Sequence, residues 1–155
     1  MKLQIVAVGR LRSGPEADLV HDYLVRAGKA GTRVGIGPVN VREVEARKGG
    51  TAAEAGLIEK ATAGTKPLVV LDERGASLNS PGLAARLEAW RDQGCRQATF
   101  VIGGADGVAS ALRNRADLVL SLGPMVWPHM LVRVMLSEQL YRAASILSGS
   151  PYHRQ

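Results

Sequence analysis

The chain has one cysteine, Cys95, in 155 residues, which excludes an internal disulfide and any cysteine-built metal cluster. Its three histidines, His21, His129 and His153, have no metal-ligand spacing, so no metal is expected. Aromatic residues make up only 4%, and Leu, Val, Ile and Ala must therefore fill most of the core. No apolar run approaches the ~20 residues that span a bilayer. The opening Met1-Lys-Leu-Gln-Ile-Val-Ala-Val-Gly9 reads as a strand and lacks the cleavage site of a secretory signal. These absences predict a soluble, cytoplasmic protein with no membrane association. A dinucleotide fingerprint is also missing. The loop after the first strand, Val8-Gly-Arg-Leu-Arg-Ser-Gly14, fails the Gly-x-Gly-x-x-Gly spacing and carries two arginines.

Positive charge is plentiful. The net charge is +6, and 15 of the 20 basic residues are arginine, the side chain best suited to bidentate phosphate contact. That balance favours a nucleic-acid partner, although an Arg-rich proteome produces the same bias.

Apolar runs and helical periods alternate five times along the chain. Strands are predicted over Lys2–Gly9, Thr32–Glu45 (kinked near Gly35-Ile-Gly-Pro38), Lys66–Leu71, Ala98–Ile102 and Asp117–Leu122. Helices are predicted over 17–29 with Ser13 as N-cap, over 51–63, from Ser80-Pro81 to about Arg91, from after Gly107 to about Arg115, and over Pro128–Leu147. The pattern implies one α/β domain over 1–155, a mostly parallel sheet with helices on both faces. The Lys48-Gly-Gly50 loop reads as a mobile surface segment rather than a domain boundary.

Three successive strands end in unusual turns: Leu71-Asp-Glu-Arg-Gly75, Ile102-Gly-Gly-Ala-Asp-Gly107 and Leu122-Gly-Pro-Met-Val-Trp-Pro-His129. In open α/β sheets ligands sit beyond the carboxyl ends of strands, so these loops are candidates for one pocket. The last helix is apolar on more than one face, from Leu131 to Leu147, which suits a homodimer contact or a central core helix. Glu138 and Arg142 have the i,i+4 order of an ion pair. The ending Ser150-Pro-Tyr-His-Arg-Gln155 sets a ring that stacks on bases (Tyr152), an imidazole that exchanges protons near neutral pH (His153) and a phosphate-binding guanidinium (Arg154) side by side.

Leu71-Asp-x-x-Gly75, Ile102-Gly-Gly-x-x-Gly107, Pro128-His-x-Leu-Val-Arg133, Glu138-x-Leu-Tyr-Arg142-Ala and Pro151-Tyr-His-Arg154 together resemble the small SPOUT-class methyltransferases. Within that class they look like the family that methylates N3 of a pseudouridine in large-subunit (23S) ribosomal RNA. The resemblance covers the whole chain. It implies a C-terminal trefoil knot, a homodimer and S-adenosyl-L-methionine held against the knot loops. Carried over by position, the cofactor contacts fall on Leu71, Gly103, Gly104, Gly123, Pro124, Met125, Val126, Trp127 and Pro128. His153 is the first candidate for taking the N3 proton and His129 the second. Tyr152 would position the base, and Arg154, Arg133 and Arg142 would hold RNA phosphate or steady the developing anion. The loop Gly123-Pro-Met-Val-Trp127 departs from the small hydroxyl or aliphatic residues common there in the family, which leaves the role of Trp127 open. The ribosome is the expected partner, since a chain this small has little surface beyond a cofactor site. Two other readings stand beside this one: a flavodoxin-like nucleotide-binding module and a non-catalytic ribosome-binding protein.

Overall fold

The computed structural model describes residues 1–46 and 50–153, with nothing to be said of the side chain of Thr51. Arg47, Lys48 and Gly49 of the presumed loop, and Arg154 and Gln155 of the tail, lie outside the described residues. The elements run β1 (Lys2–Val8), α1 (Pro15–Thr32), β2 (Val39–Val44), α2 (Thr51–Ala61), β3 (Leu68–Ser77), α3 (Ser80–Asp92), β4 (Gln97–Ile102), α4 (Ser110–Arg115), β5 (Leu118–Ser121) and α5 (His129–Leu147). The strands form one sheet in the order β2-β1-β4-β3-β5, and every strand pair is parallel.

Helices cover both faces, which is why the central strands read as continuous apolar runs. Leu3, Ile5, Phe100 and Val69 point into a core closed by Leu83, Leu87 and Trp90 of α3 and Leu136 and Leu140 of α5. Val6, Val70 and Val101 point the other way, against Ile58 of α2 and Leu112 of α4. Each fully buried Leu, Ile or Val is worth roughly 1.5–3 kcal/mol, so both layers are needed to hold so thin a sheet.

Three boundaries differ from the sequence reading. The N-cap of α1 is Gly14, not Ser13, because Pro15 takes the first helical position, where its missing N–H costs nothing. The second strand is shorter than expected: Thr32 closes α1 by donating to the Gly28 carbonyl at 2.8 Å. Residues 33–38 then turn back on the helix end, with Gly35 and Gly37 at φ 67° and 100°, outside any strand conformation. The third strand is longer. Asp72–Gly75 is not a turn but an irregular extension, with a register shift against β5 between Leu71 and Ala76. Gly75 permits it: an ideal Cβ there would lie 2.6 Å from the Val119 carbonyl carbon and oxygen.

Candidate active site

Because the strands are parallel, the irregular Asp72–Gly75 stretch of β3 and the turns after β4 and β5 lie at one end of the sheet. Ser121 shapes the last of them, accepting from the Gly123 N–H at 3.1 Å and donating to the Gly123 carbonyl at 3.0 Å, while Gly123 takes φ 109°. Gly103 is packed so closely that a Cβ would meet the Gly107 oxygen at 2.5 Å. A Cβ on Gly104 would lie 3.1 Å from both Val8 and Glu54.

Between these turns lies a cavity of about 320 Å³. Of the residues assigned to cofactor binding, Leu71, Gly103, Gly104, Gly123, Met125, Val126 and Trp127 line it, and Pro124 and Pro128 flank it in the same loop. His129 also lines the cavity, at the first position of α5. The sequence reading passed over Asp72 and Arg113. Arg113 reaches Asp72 at 3.2 Å and also donates to the Val108 carbonyl, stapling the β3 extension to the loop before α4. An acid directly after an apolar run was the available signal.

Arg133 is not an RNA contact. It is only 2% exposed, and its guanidinium donates to the carbonyls of Val8 (2.6 Å) and Gly9 (2.7 Å) and to Glu43 Oε1 (2.9 Å). A charge so enclosed and so committed has no face to offer a phosphate.

The tail groups gather elsewhere, beside the far half of α5. Glu138 Oε1 accepts from Arg142 Nη2 at 2.6 Å and Nε at 2.9 Å, so the i,i+4 pair forms. The Tyr152 hydroxyl donates to the same oxygen at 3.0 Å, and its ring packs under the Arg142 guanidinium (4.8 Å) and against Tyr141 (4.4 Å between centroids). His153 Nδ1 lies 3.5 Å from Arg142 Nη1. The pairing with Glu138 raises the Arg142 pKa further above its ordinary value. Burial, then the bond to Glu138, pushes the Tyr152 phenol up to about 12. Tyr152 is thus a neutral hydrogen-bond donor at physiological pH and not a base. Its folded pKa is raised, so the stability it contributes is whole below the unfolded value near 10 and is lost as pH climbs through about 12. In a Tyr23→Phe, Tyr141→Phe background, Glu138→Gln is expected to lower the Tyr152 pKa, because one of the two main causes is gone and burial remains. An ultraviolet tyrosinate titration reads this directly; an unmoved midpoint would mean that Glu138 does not hold the tail.

At 1.5 Å per residue, His129 and Arg142 are roughly 20 Å apart along α5. The chain therefore carries a loop-built cavity at one end of this helix and a docked aromatic, imidazole and guanidinium cluster at the other. Among the described residues no cluster of His, Cys, Asp or Glu is arranged to hold a metal ion, and no helix is long and apolar enough to cross a membrane.

The chain is similar to known proteins over nearly all its length. It is 64% identical to the ribosomal RNA large subunit methyltransferase H of Cereibacter sphaeroides strain ATCC 17029 over 155 residues, covering 99% of each chain. It is 58% identical to the protein of that name from Paracoccus denitrificans, covering 100% of each. Among solved structures, a probable methylase family protein from Haemophilus influenzae superposes with a TM-score of 0.58 at 13% identity, over 99% of this chain and 70% of that one. A probable methyltransferase from Bordetella pertussis does so at 0.55 and 14%, over 92% and 96%. Both likenesses concern the fold alone. A family model described as Predicted SPOUT methyltransferase matches residues 1–153, and with relatives this similar from end to end, the chain belongs to the SPOUT methyltransferase family.

Proposed function

We propose that this protein is a single-domain enzyme that transfers the methyl group of S-adenosyl-L-methionine to N3 of a pseudouridine in 23S ribosomal RNA. The observation that carries the proposal is the convergence of the β3 extension and the β4 and β5 turns on one cavity, in a chain 64% identical to a ribosomal RNA large subunit methyltransferase over 99% of its length. A volume of about 320 Å³ falls within the range of small-molecule sites. The Gly103–Gly104 backbone has no room for side chains, so this wall of the cavity is formed by main chain packed closely against Gly107 and Val8. Leu71, Gly103, Gly104 and the 123–128 loop would hold the donor, and its sulfonium supplies an electrophilic methyl group.

The chain's own contribution is positioning and a proton acceptor. As the carbon–sulfur bond breaks and the N3–methyl bond forms, the N3 proton must leave. With Tyr152 held as a neutral donor, His153 is the group assigned to take that proton. Arg142 lies beside the imidazole, and Arg142 and Arg154 are the groups assigned to hold RNA phosphate. Tyr152 stacks on or orients the base. His129, at the cavity itself, shapes the donor site and is the second candidate for the proton.

The cavity and the tail cluster occupy opposite ends of α5, which supports a homodimer in which one chain's tail completes its partner's cavity. Solvent-facing apolar residues beside the cavity support the same pairing: Met125 is 65% exposed and Val126 82%. The close approach of β3 to β5 at Gly75 supports a tightly packed C-terminal trefoil knot, as the family resemblance implies. The assembled ribosome, in the cytoplasm, is the proposed substrate.

The test is transfer of labelled methyl from S-adenosylmethionine to ribosomes lacking the modification. Label recovered in an N3-methylated pseudouridine of 23S RNA is the expected result. Donor binding without transfer would redirect the assignment to another RNA. Absence of both would favour a flavodoxin-like nucleotide module, or a ribosome-binding protein acting by charge alone.

A further inference from the structure

Among the described residues Arg133 is the largest of the fully buried side chains, and a charge there is not what stability alone would select. Enclosed ion pairs are commonly replaced by apolar side chains with no loss of stability. Here, moreover, Nε has no hydrogen-bond partner among the described residues. What the guanidinium does achieve is a junction. Its Nη2 holds the carbonyls that end β1, at Val8 and Gly9. Its Nη1 holds Glu43 near the end of β2, and the same Glu43 oxygen accepts the Leu11 N–H at 2.7 Å.

Both sides of this junction reach the methyl-donor cavity. On α5, Val132 is the neighbouring residue and His129 lies one turn back, and both line it. On β1, the Val8 side chain sits against Gly104, another lining residue. We infer that Arg133 is a positioning residue: it fixes the first turn of α5 against the end of β1 and so sets the spacing between the His129 and Gly104 walls of the cavity. As a statement about donor binding, this rests on the function proposed above.

The experiment compares Arg133→Lys and Glu43→Gln with Ile58→Ala, a control in the core on the opposite face of the sheet. Lysine keeps the charge but loses the fork. Glu43→Gln leaves both carbonyl bonds in place and serves if the lysine variant does not fold. Melting temperature, calorimetric affinity for S-adenosylmethionine and amide hydrogen exchange of the ligand-free protein are measured for each. Both junction variants are expected to bind the donor about tenfold more weakly than wild type, the scale seen when residues supporting a ligand shell are removed. Ile58→Ala is expected to lower the melting temperature with donor affinity kept. Exchange should quicken in Gly103–Gly107 and Val126–Val132 and not in α2. Donor affinities within about twofold of the control, or exchange raised evenly over the chain, would overturn the inference and leave Arg133 a stabilising residue only. If wild type itself binds no donor, the proposed function fails, and the exchange pattern alone then decides the positioning role.

Discussion

A Gly75→Ala variant is expected to lose donor binding and several degrees of melting temperature together. The added carbon would sit 2.6 Å from Val119 backbone atoms and 2.8 Å from the Leu120 carbonyl carbon. These are main-chain atoms of a strand paired with β3 on either side of the register shift, so no side chain can swing away to make room. The strands must part, which breaks the Ala76–Leu120 and Ser77–Ser121 pairing. Overpacking of this kind costs about 1–3 kcal/mol. The damage reaches the site because Leu71 and Leu120, which flank the register shift, both line the cavity. Calorimetry against S-adenosylmethionine and a thermal melt check both parts. A variant that melts like wild type and binds the donor normally would show that β3 and β5 have room to spare at the register shift.

His153→Ala is expected to separate chemistry from binding. The imidazole lies with Arg142 at the tail cluster, roughly 20 Å along α5 from the cavity of its own chain, so removing it leaves the residues that line that cavity in place. Turnover should fall by about 10²–10⁴, the usual contribution of a positioned general base, while donor affinity stays at the wild-type value. His129→Ala should do the reverse, weakening the donor first, since His129 lines the cavity. Unchanged turnover in the His153 variant would remove its proton role and leave His129 or solvent hydroxide as the acceptor.

The cavity was legible in the sequence because local chemistry builds it. Apolar runs ending in glycine-rich turns announce parallel strands, and parallel strands bring their ends together whatever their order in the sheet. The Glu138–Arg142 pair was legible for a similar reason, since it lies within one helical turn. Arg133 was misread because its partners are remote. On a helical wheel it is a cation interrupting an apolar surface, and only the fold brings residues 8, 9 and 43 to it. The second strand was overextended because Val34 and Ile36 keep an apolar alternation through a segment whose glycines turn the backbone away. The β3 extension was hidden by Asp72-Glu-Arg-Gly75, whose composition is that of a turn. What makes it a strand is its neighbour β5, more than 40 residues further on.

The junction at Arg133 also bears on how the chain comes to be folded during synthesis. The first strand leaves the ribosome early, yet its partner β4 pairs Lys2 with Gln97, and the side chain that closes its end comes from a residue 125 positions beyond Val8. In the interval β2 can cover only one edge of β1, and its other edge waits for β4. A nascent chain halted before β4 therefore carries an apolar strand with one edge unpaired, open to pairing with other chains. Contacts of such sequence separation make for slow folding. Folding should be completed only once almost all of the polypeptide is free, and a chaperone that shields β1 would raise the yield of native enzyme more than its rate of folding.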